Sequence, residues 1–416
     1  MNVLVIGGGA REHAIVWKLS SSPQVTKIFT APGNAGTAMI GTNLDIAATD
    51  VEELLSAAQT NHIDLTIVGP ETALEVGVVD RFRAEGLTIA GPTQAAARIE
   101  TSKAFAKNLM VKYNIPTGKA ELFTSYEDAM PYAHQAAMPI VVKADGLAAG
   151  KGVTVCQTRD EAILALWNAM EDQVFGSSGD QVLVEECLFG QEISVFTFTD
   201  GVHLSPLVAA CDYKRIGDGD QGPNTGGMGS YSPPRVWDDA LSEQVMTEIM
   251  APTVKALAAE GCPFQGVLYG GIILTEDGPK VIEFNARWGD PETQTVLPRL
   301  ESDLVDSYLA SINGAVDKAT IEWSEEACVG VVMVSGGYPA EYSTGMSING
   351  LDDMEEDVTV FHAGTRAEDG IPTTSGGRVL TVTAKGQSLE QARERAYNNV
   401  SRITYENAQY RSDIAK

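Results

Sequence analysis

The sequence predicts a multidomain α/β and α+β protein that opens with a doubly wound parallel sheet. Strand, turn and helix alternate over the first hundred residues. The texture changes after Gly91-Pro92 and again from Cys328. A length of 416 residues suits about two to four domains of ordinary size. With 44% hydrophobic and 20% charged residues, the chain has ample material for packed cores and is too apolar to be disordered throughout.

Charge narrows the function classes. The chain carries 29 Lys and Arg against 56 Asp and Glu, a net charge of −27. That balance excludes a nucleic-acid or anionic-membrane surface, which needs a basic footprint. It leaves room for a local basic pocket that takes a small phosphorylated ligand. No apolar run approaches the ~18 residues of a bilayer span. Met1–Gly7 runs straight into a glycine turn without a basic n-region, so it reads as a first strand, and a soluble, cytoplasmic protein is expected. Cys156, Cys187, Cys211, Cys262 and Cys328 are scattered without CxxC spacing, which argues against a disulfide framework or a zinc site.

Along the chain, strands are predicted at residues 2–6, Lys27–Thr30, Leu65–Val68 and Thr88–Ala90, with helix-length segments between them. Ligands of such sheets gather at the carboxyl ends of the strands, here Gly7–Arg11, Ala31–Gly36 and Gly69–Glu71. Thr101 is expected to cap a helix that runs to Tyr113. A compact unit follows: strand Ile140–Lys143, a glycine-rich loop, strand Val153–Cys156, a helix from Asp160 and strand Gln181–Glu185. Residues Asp212–Pro234 read as a long polar loop of the kind that is often functional. A β-rich region from Cys328 closes with a helix from Leu389.

Three glycine-rich stretches bear on chemistry. Gly7-Gly8-Gly9-Ala10-Arg11-Glu12 has Glu12 where a dinucleotide fingerprint needs its third glycine, and no acid ends the second strand. A helix N-terminus with Arg11 facing a phosphate fits it better, beside the plainer reading of a packing turn. Lys143–Val153 is not a Walker A loop, because three residues separate Gly146 from Gly150 and Gly152 follows Lys151. It reads as a hairpin flap whose lysines and backbone N–H groups close over a triphosphate. In the extended segment Val281–Glu292, Glu283, Asn285 and Arg287 share a face, which suits Mg²⁺ and phosphate; an ordinary polar strand face is the alternative.

Taken together, Gly9-Ala10-Arg11-Glu12-His13-Ala14, Pro32–Gly36, Val68–Glu71, Lys143–Val153, Gly222-Pro223-Asn224-Thr225-Gly226-Gly227-Met228-Gly229, Phe284–Arg287 and Gly289-Asp290-Pro291-Glu292 resemble the ATP-grasp superfamily. Within it, they resemble the phosphoribosylamine–glycine ligase family over essentially the whole chain. The resemblance implies a doubly wound domain at 1–101, an ATP-grasp core at 102–121 and 187–325, an inserted flap subdomain at 122–186 and a C-terminal mixed β/α domain at 326–416. It implies ATP-dependent joining of glycine to 5-phosphoribosylamine through glycyl phosphate, giving glycinamide ribonucleotide, ADP and phosphate in purine synthesis. Another ATP-grasp carboxylate–amine ligase is the alternative. A dinucleotide oxidoreductase and a non-catalytic nucleotide module are the readings from other classes.

The resemblance also implies roles. ATP would be held by Lys103, Lys143, Gly150, Lys151 and Gly152, by Glu185, Glu186 and Leu188 at the adenine hinge, and by Glu192 at the ribose. Glu283 and Asn285 would hold Mg²⁺ or Mn²⁺. Arg287, Lys151 and Asp290 would be catalytic. Gly9, Arg11, Glu12 and Asn34 would meet the substrates from the N-terminal side. Asp212, Lys214, Asn224, Thr225, Gly226, Gly227 and Met228 would do so from the long loop, joined by Arg287 and Asp290. Its partners would be these small molecules, with no nucleic acid or membrane, and it would act as a monomer. Two departures stand out. Cys211-Asp212-Tyr213-Lys214-Arg215 replaces the family's QDHKR, which excludes a histidine role there, and Val267–Leu274 carries no acidic metal ligand.

Overall fold

The computed structural model describes residues 1–147, 152–368 and 370–416. The N-terminal sheet has five parallel strands in the spatial order Thr42–Asn43, Lys27–Pro32, Asn2–Gly7, Leu65–Val68, Ile89–Ala90. Its central strand is buried on both sides because successive side chains point to opposite faces. Val3 and Val5 pack with Ala14, Ile15 and Leu19 of the first helix, Ala10–Ser20. Leu4 and Ile6 join Leu54, Leu55 and Phe82 from helices Val51–Thr60 and Val78–Ala84. The expected doubly wound sheet is present, and its strand order reverses between Asn2–Gly7 and Leu65–Val68. The crevice beyond the carboxyl ends of those two strands is where such sheets bind ligands.

The second sheet is antiparallel and has eight strands: Gly278–Asn285, Gln265–Thr275, Gln191–Asp200, Val208–Asp212, Gly229–Ser232, Ala327–Val334, Arg378–Gly386 and Val358–His362. It runs without a break from the central part of the chain into the C-terminal part, through the pairing of Gly229–Ser232 with Ala327–Val334. Residues 212–234 are therefore not one loop. They hold the hairpin Arg215–Gly217/Gln221–Asn224 and the buried strand Gly229–Ser232. That strand escapes a periodicity reading because Gly229, Ser230 and Ser232 are small or polar. It is paired on both edges by neighbouring strands, and its faces are covered by Pro291, Thr295 and Ile414.

A four-stranded sheet, Ala120–Phe123, Val182–Glu186, Ile140–Ala144, Val153–Cys156, forms the smaller unit between residues 120 and 186. Helices Tyr126–Gln135 and Arg159–Met170 cover one face and build its separate core. The expected hairpin Lys143–Val153 is there, but Ala148–Lys151 lie outside the described residues, and with them Gly150 and Lys151. The helix expected from Thr101 to Tyr113 is Lys103–Lys112, one residue later than its expected cap, because Thr101 is the last residue of a preceding helix, Gln94–Thr101. The cap is Ser102, whose hydroxyl accepts from the Phe105 N–H at 3.1 Å. All five cysteines are free thiols, and no described helix is long and apolar enough to cross a membrane.

The first helix also grips the far end of the chain. The His362 N–H donates to His13 Nδ1 at 2.8 Å, and Asn34 Nδ2 donates to the His362 carbonyl at 2.7 Å. Both histidines are buried. Burial, reinforced by His362, pushes His13 down to about 3, and burial pushes His362 down to about 4, from an ordinary 6.5. The unfolded chain therefore binds more protons than the folded one below pH 6.5. Stability present above that pH is lost as pH falls toward the folded values, by up to about 1.4 kcal/mol per pH unit and histidine. His13→Asn keeps an acceptor near Nδ1 but takes up no proton. Its thermal midpoint should fall less than the parent's between pH 7 and 4.5; equal falls would show that His13 contributes nothing to acid sensitivity.

Candidate active site

The strand Gly278–Asn285 ends opposite the crevice of the N-terminal sheet, and charged side chains from both fill the space between. Arg287 Nε meets Glu71 Oε2 at 2.9 Å and its Nη2 meets Glu100 Oε1 at 2.7 Å. Arg11 Nε meets Glu12 Oε1 at 2.6 Å, and its Nη1 lies 3.8 Å from Glu71 and 3.3 Å from the Trp288 carbonyl. Arg287 beside it, seconded by Arg11, holds the Glu71 carboxyl down at about 2 against the opposing effect of burial. Burial pushes Glu100 up to about 7 despite Arg287. Glu71 and Glu100 were not among the expected site residues. Glu71 stands in the motif at a strand end, whereas Glu100 sits inside a helix with no local sign of its partner.

The turn Gly7–Glu12 is shaped by its own glutamate. Glu12 Oε2 accepts from the Gly9 N–H at 2.6 Å. A Cβ on Gly7 or Gly69 would lie 2.5 or 2.2 Å from the Glu12 side chain, so both positions are glycine to let it pass. An anion approaching this helix N-terminus meets a carboxylate already in place. Asn34 holds Gly8 by a 3.0 Å bond from its Nδ2 to the Gly8 carbonyl, while its Oδ1 accepts from Gly36 and Thr37.

Lysines converge from the other side. Lys143 and Lys107 share Glu185, with Nζ–O distances of 2.8 and 3.2 Å, and all three side chains are less than a tenth exposed. Lys103 Nζ reaches the Gly146 carbonyl at 2.8 Å, and Asp145 accepts from the Ala104 N–H at 3.1 Å, so the root of the flap is docked on the start of this helix. Glu186 is exposed, Cys187 and Leu188 half-buried. Glu192 pairs with Lys214 at 2.5 Å, and Asp212 lies 3.9 Å from the same ammonium. Burial pushes Asp212 up to about 7 against the pull of Lys214, with Glu292, Glu192 and Glu283 pushing the same way as burial. Against burial, Glu283 is held down by Lys214, Lys143, Lys103 and Arg287. Glu283 and Asn285 are two residues apart on one strand and offer oxygen donors beside this excess of carboxylates. That donor set fits a hard divalent cation, which would relieve the crowding.

The loop Asn224–Met228 is pinned at both ends. Thr225 Oγ1 donates to the Lys214 carbonyl at 2.9 Å and accepts from the Gly227 N–H at 2.9 Å. Met228 is fully buried against Val332 and Val334 and anchors the loop. The hairpin before it is tied to residues 411–415. Arg411 bonds the Arg215 carbonyl at 3.0 Å and Asp220 at 2.8 Å, and the Ala415 N–H donates to the Tyr213 hydroxyl at 2.9 Å. Asp290 faces the Gly9 turn, where a Cβ would stand 3.6 Å from its Oδ2. Arg378 and Tyr338, unforeseen in the sequence, contact Asp290 and Gly226 from the C-terminal part of the chain.

Residues 101–293 match the model described as phosphoribosylglycinamide synthetase, ATP-grasp (A) domain; residues 1–100 match its N domain and 328–416 its C domain. The phosphoribosylamine–glycine ligases of Yersinia pestis and Halalkalibacterium halodurans are 50% and 48% identical, each over 100% of this chain and over 98% and 96% of their own. The crystal structure of phosphoribosylamine–glycine ligase from Thermotoga maritima superposes with a TM-score of 0.87 at 32% identity, covering both chains completely. A biotin carboxylase from Campylobacter jejuni, 13% identical, has a TM-score of 0.75 over 98% of this chain and 92% of its own, and shares the fold. The chain belongs to the phosphoribosylamine–glycine ligase family.

The shared carboxylate generates a test. Glu185→Ala would leave Lys107 and Lys143 buried without their counter-charge, a loss of about 3–5 kcal/mol. Denaturant unfolding should register it, and saturating ATP should recover more of it than in Glu186→Ala if phosphates take over beside Lys143. No loss would mean that the lysines find other partners.

Proposed function

We propose that the chain joins glycine to 5-phosphoribosylamine at the expense of ATP, through glycyl phosphate, releasing glycinamide ribonucleotide, ADP and phosphate. The observation that supports it best is the convergence of Lys103, Lys143, Lys214 and Arg287 on the strand carrying Glu283 and Asn285. A carboxylate is a poor acyl donor until one oxygen becomes a leaving group. Phosphorylation achieves this by positioning and charge neutralisation, without a protein nucleophile.

On this reading Lys103 and Lys143 bind the ATP phosphates, Glu185 to Leu188 line the adenine side, and Glu192 takes the ribose. Lys151, Gly150 and Gly152 cover the phosphates from the flap. Glu283 and Asn285 hold Mg²⁺ or Mn²⁺, which supplies charge neutralisation at the phosphates. Glu71, Glu100 and the Trp288 carbonyl each engage one nitrogen of Arg287. Among the described residues this engages three of its five N–H bonds and leaves two for a ligand. Gly9, Arg11, Glu12, Asn34 and Asp290 shape the acceptor side, with Asp212, Lys214 and the loop Asn224–Met228 across from them. Residues 1–101, the core at 102–121 and 187–325, the flap at 122–186 and the region 326–416 serve as the functional units. The chain is proposed to act as a monomer in the cytoplasm.

Phosphate release measured with each substrate omitted in turn should require glycine, ATP and phosphoribosylamine together for product. Release driven by a different carboxylate would favour a sister ligase. Arg287→Ala should lose ~10²–10³ in kcat with little change in the KM for ATP. With ¹⁸O in the glycine carboxylate, one labelled oxygen should leave on phosphate per turnover; AMP and pyrophosphate as products would overturn the acyl-phosphate route.

A further inference from the structure

Arg378 begins a strand of the C-terminal part of the chain, yet its guanidinium ends in the cluster. Nη2 meets Asp290 Oδ2 at 3.0 Å; Nη1 donates to the Asp290 carbonyl at 3.1 Å and to the Gly226 carbonyl at 2.5 Å. The other side of the Gly226 peptide is held from the same region, its N–H donating to the Tyr338 hydroxyl at 3.0 Å. Gln294 Nε2 donates to Asp290 Oδ1 at 2.8 Å, so both carboxylate oxygens have fixed partners. The fit is close: a Cβ on Gly226 would lie 3.0 Å from the Arg378 guanidinium carbon, and one on Gly227 would lie 2.3 Å from Pro291.

One planar fork thus joins two segments far apart in sequence, the loop Asn224–Met228 and the turn Gly289–Glu292. Only a guanidinium offers several N–H bonds in one rigid plane to do this. One of its targets, Asp290, faces the Gly9 turn, whereas the groups assigned to ATP, Lys103, Lys143 and Glu185, are held by other partners. We infer that Arg378, assisted by Tyr338, is a positioning residue for the acceptor side of the site, so that its loss impairs capture of glycyl phosphate by the amine while leaving ATP binding intact. This rests on the ligase reading above. Uncaptured glycyl phosphate reacts with water, its acyl C–O bond giving glycine and phosphate. A loosened acceptor side therefore spends ATP without product.

The experiment compares Arg378→Ala, Arg378→Lys and Tyr338→Phe with the parent, measuring phosphate and glycinamide ribonucleotide in the same reaction. In Arg378→Ala the KM for phosphoribosylamine should rise on the order of ten-fold, the KM for ATP should hold, and phosphate should exceed ribonucleotide. Arg378→Lys should restore part of the coupling, and Tyr338→Phe should shift in the same direction by less. Should Arg378→Ala fail to fold, the two milder variants decide. Coupling unchanged in both, or a rise confined to the KM for ATP, overturns the inference. A parent that releases no phosphate with glycine would overturn the ligase reading instead.

Discussion

The site is organised around a largely buried network of five charges: Arg11, Glu12, Glu71 and Glu100 from three helices of the N-terminal part of the chain, and Arg287 from just beyond strand Gly278–Asn285. Buried charges are tolerated only when each finds a partner, because removing one leaves another desolvated without compensation. The network therefore sets how the N-terminal sheet meets the end of strand Gly278–Asn285. It lies where the N-terminal strand order reverses, the crevice such sheets leave open. The groups of the proposed site are arranged around that fixed joint: lysines toward the flap on one side, the Gly9 turn and Asp290 on the other.

Around this joint the chain divides labour by rigidity. Strands and helix starts carry the groups that must be exact in place, such as Glu283, Asn285 and Lys103. The flap has its own small core and touches the rest through its roots. The long segment before Met228 would be free if left to itself, with its run of glycine and aspartate. It is held by partners from distant parts of the chain, and precision at a loop is obtained by clasping it instead of by building it as a strand.

The sequence makes the first sheet legible because its signals are local. Val3–Ile6 form a continuous apolar run, glycine follows every strand but the two-residue Thr42–Asn43, which was not foreseen, and the motif at Phe284–Arg287 sits on a strand end. What it hides is long-range. Glu100 reads as one more polar residue of a helix, and its burial depends on Arg287, 187 positions away by sequence number. Lys107 sits midway along a helix and would be assigned to solvent by charge alone, yet it is buried on Glu185. Thr101 reads as a cap, yet it closes one helix, and the cap of the next falls to Ser102, which only the break between the two helices reveals. Arg378 follows two glycines in a turn before a strand, a context with nothing catalytic in it.

The tie between residues 411–415 and the hairpin at Arg215 spans 196 positions of sequence. A ribosome therefore exposes the loop Asn224–Met228 long before it makes the segment that secures it. During that interval the N-terminal sheet and the flap can close their own cores, but the acceptor loop has no clasp. The segment Asn224–Met228 is therefore among the last parts of the site to be secured, because the residues that tie down the hairpin before it are the last to be made.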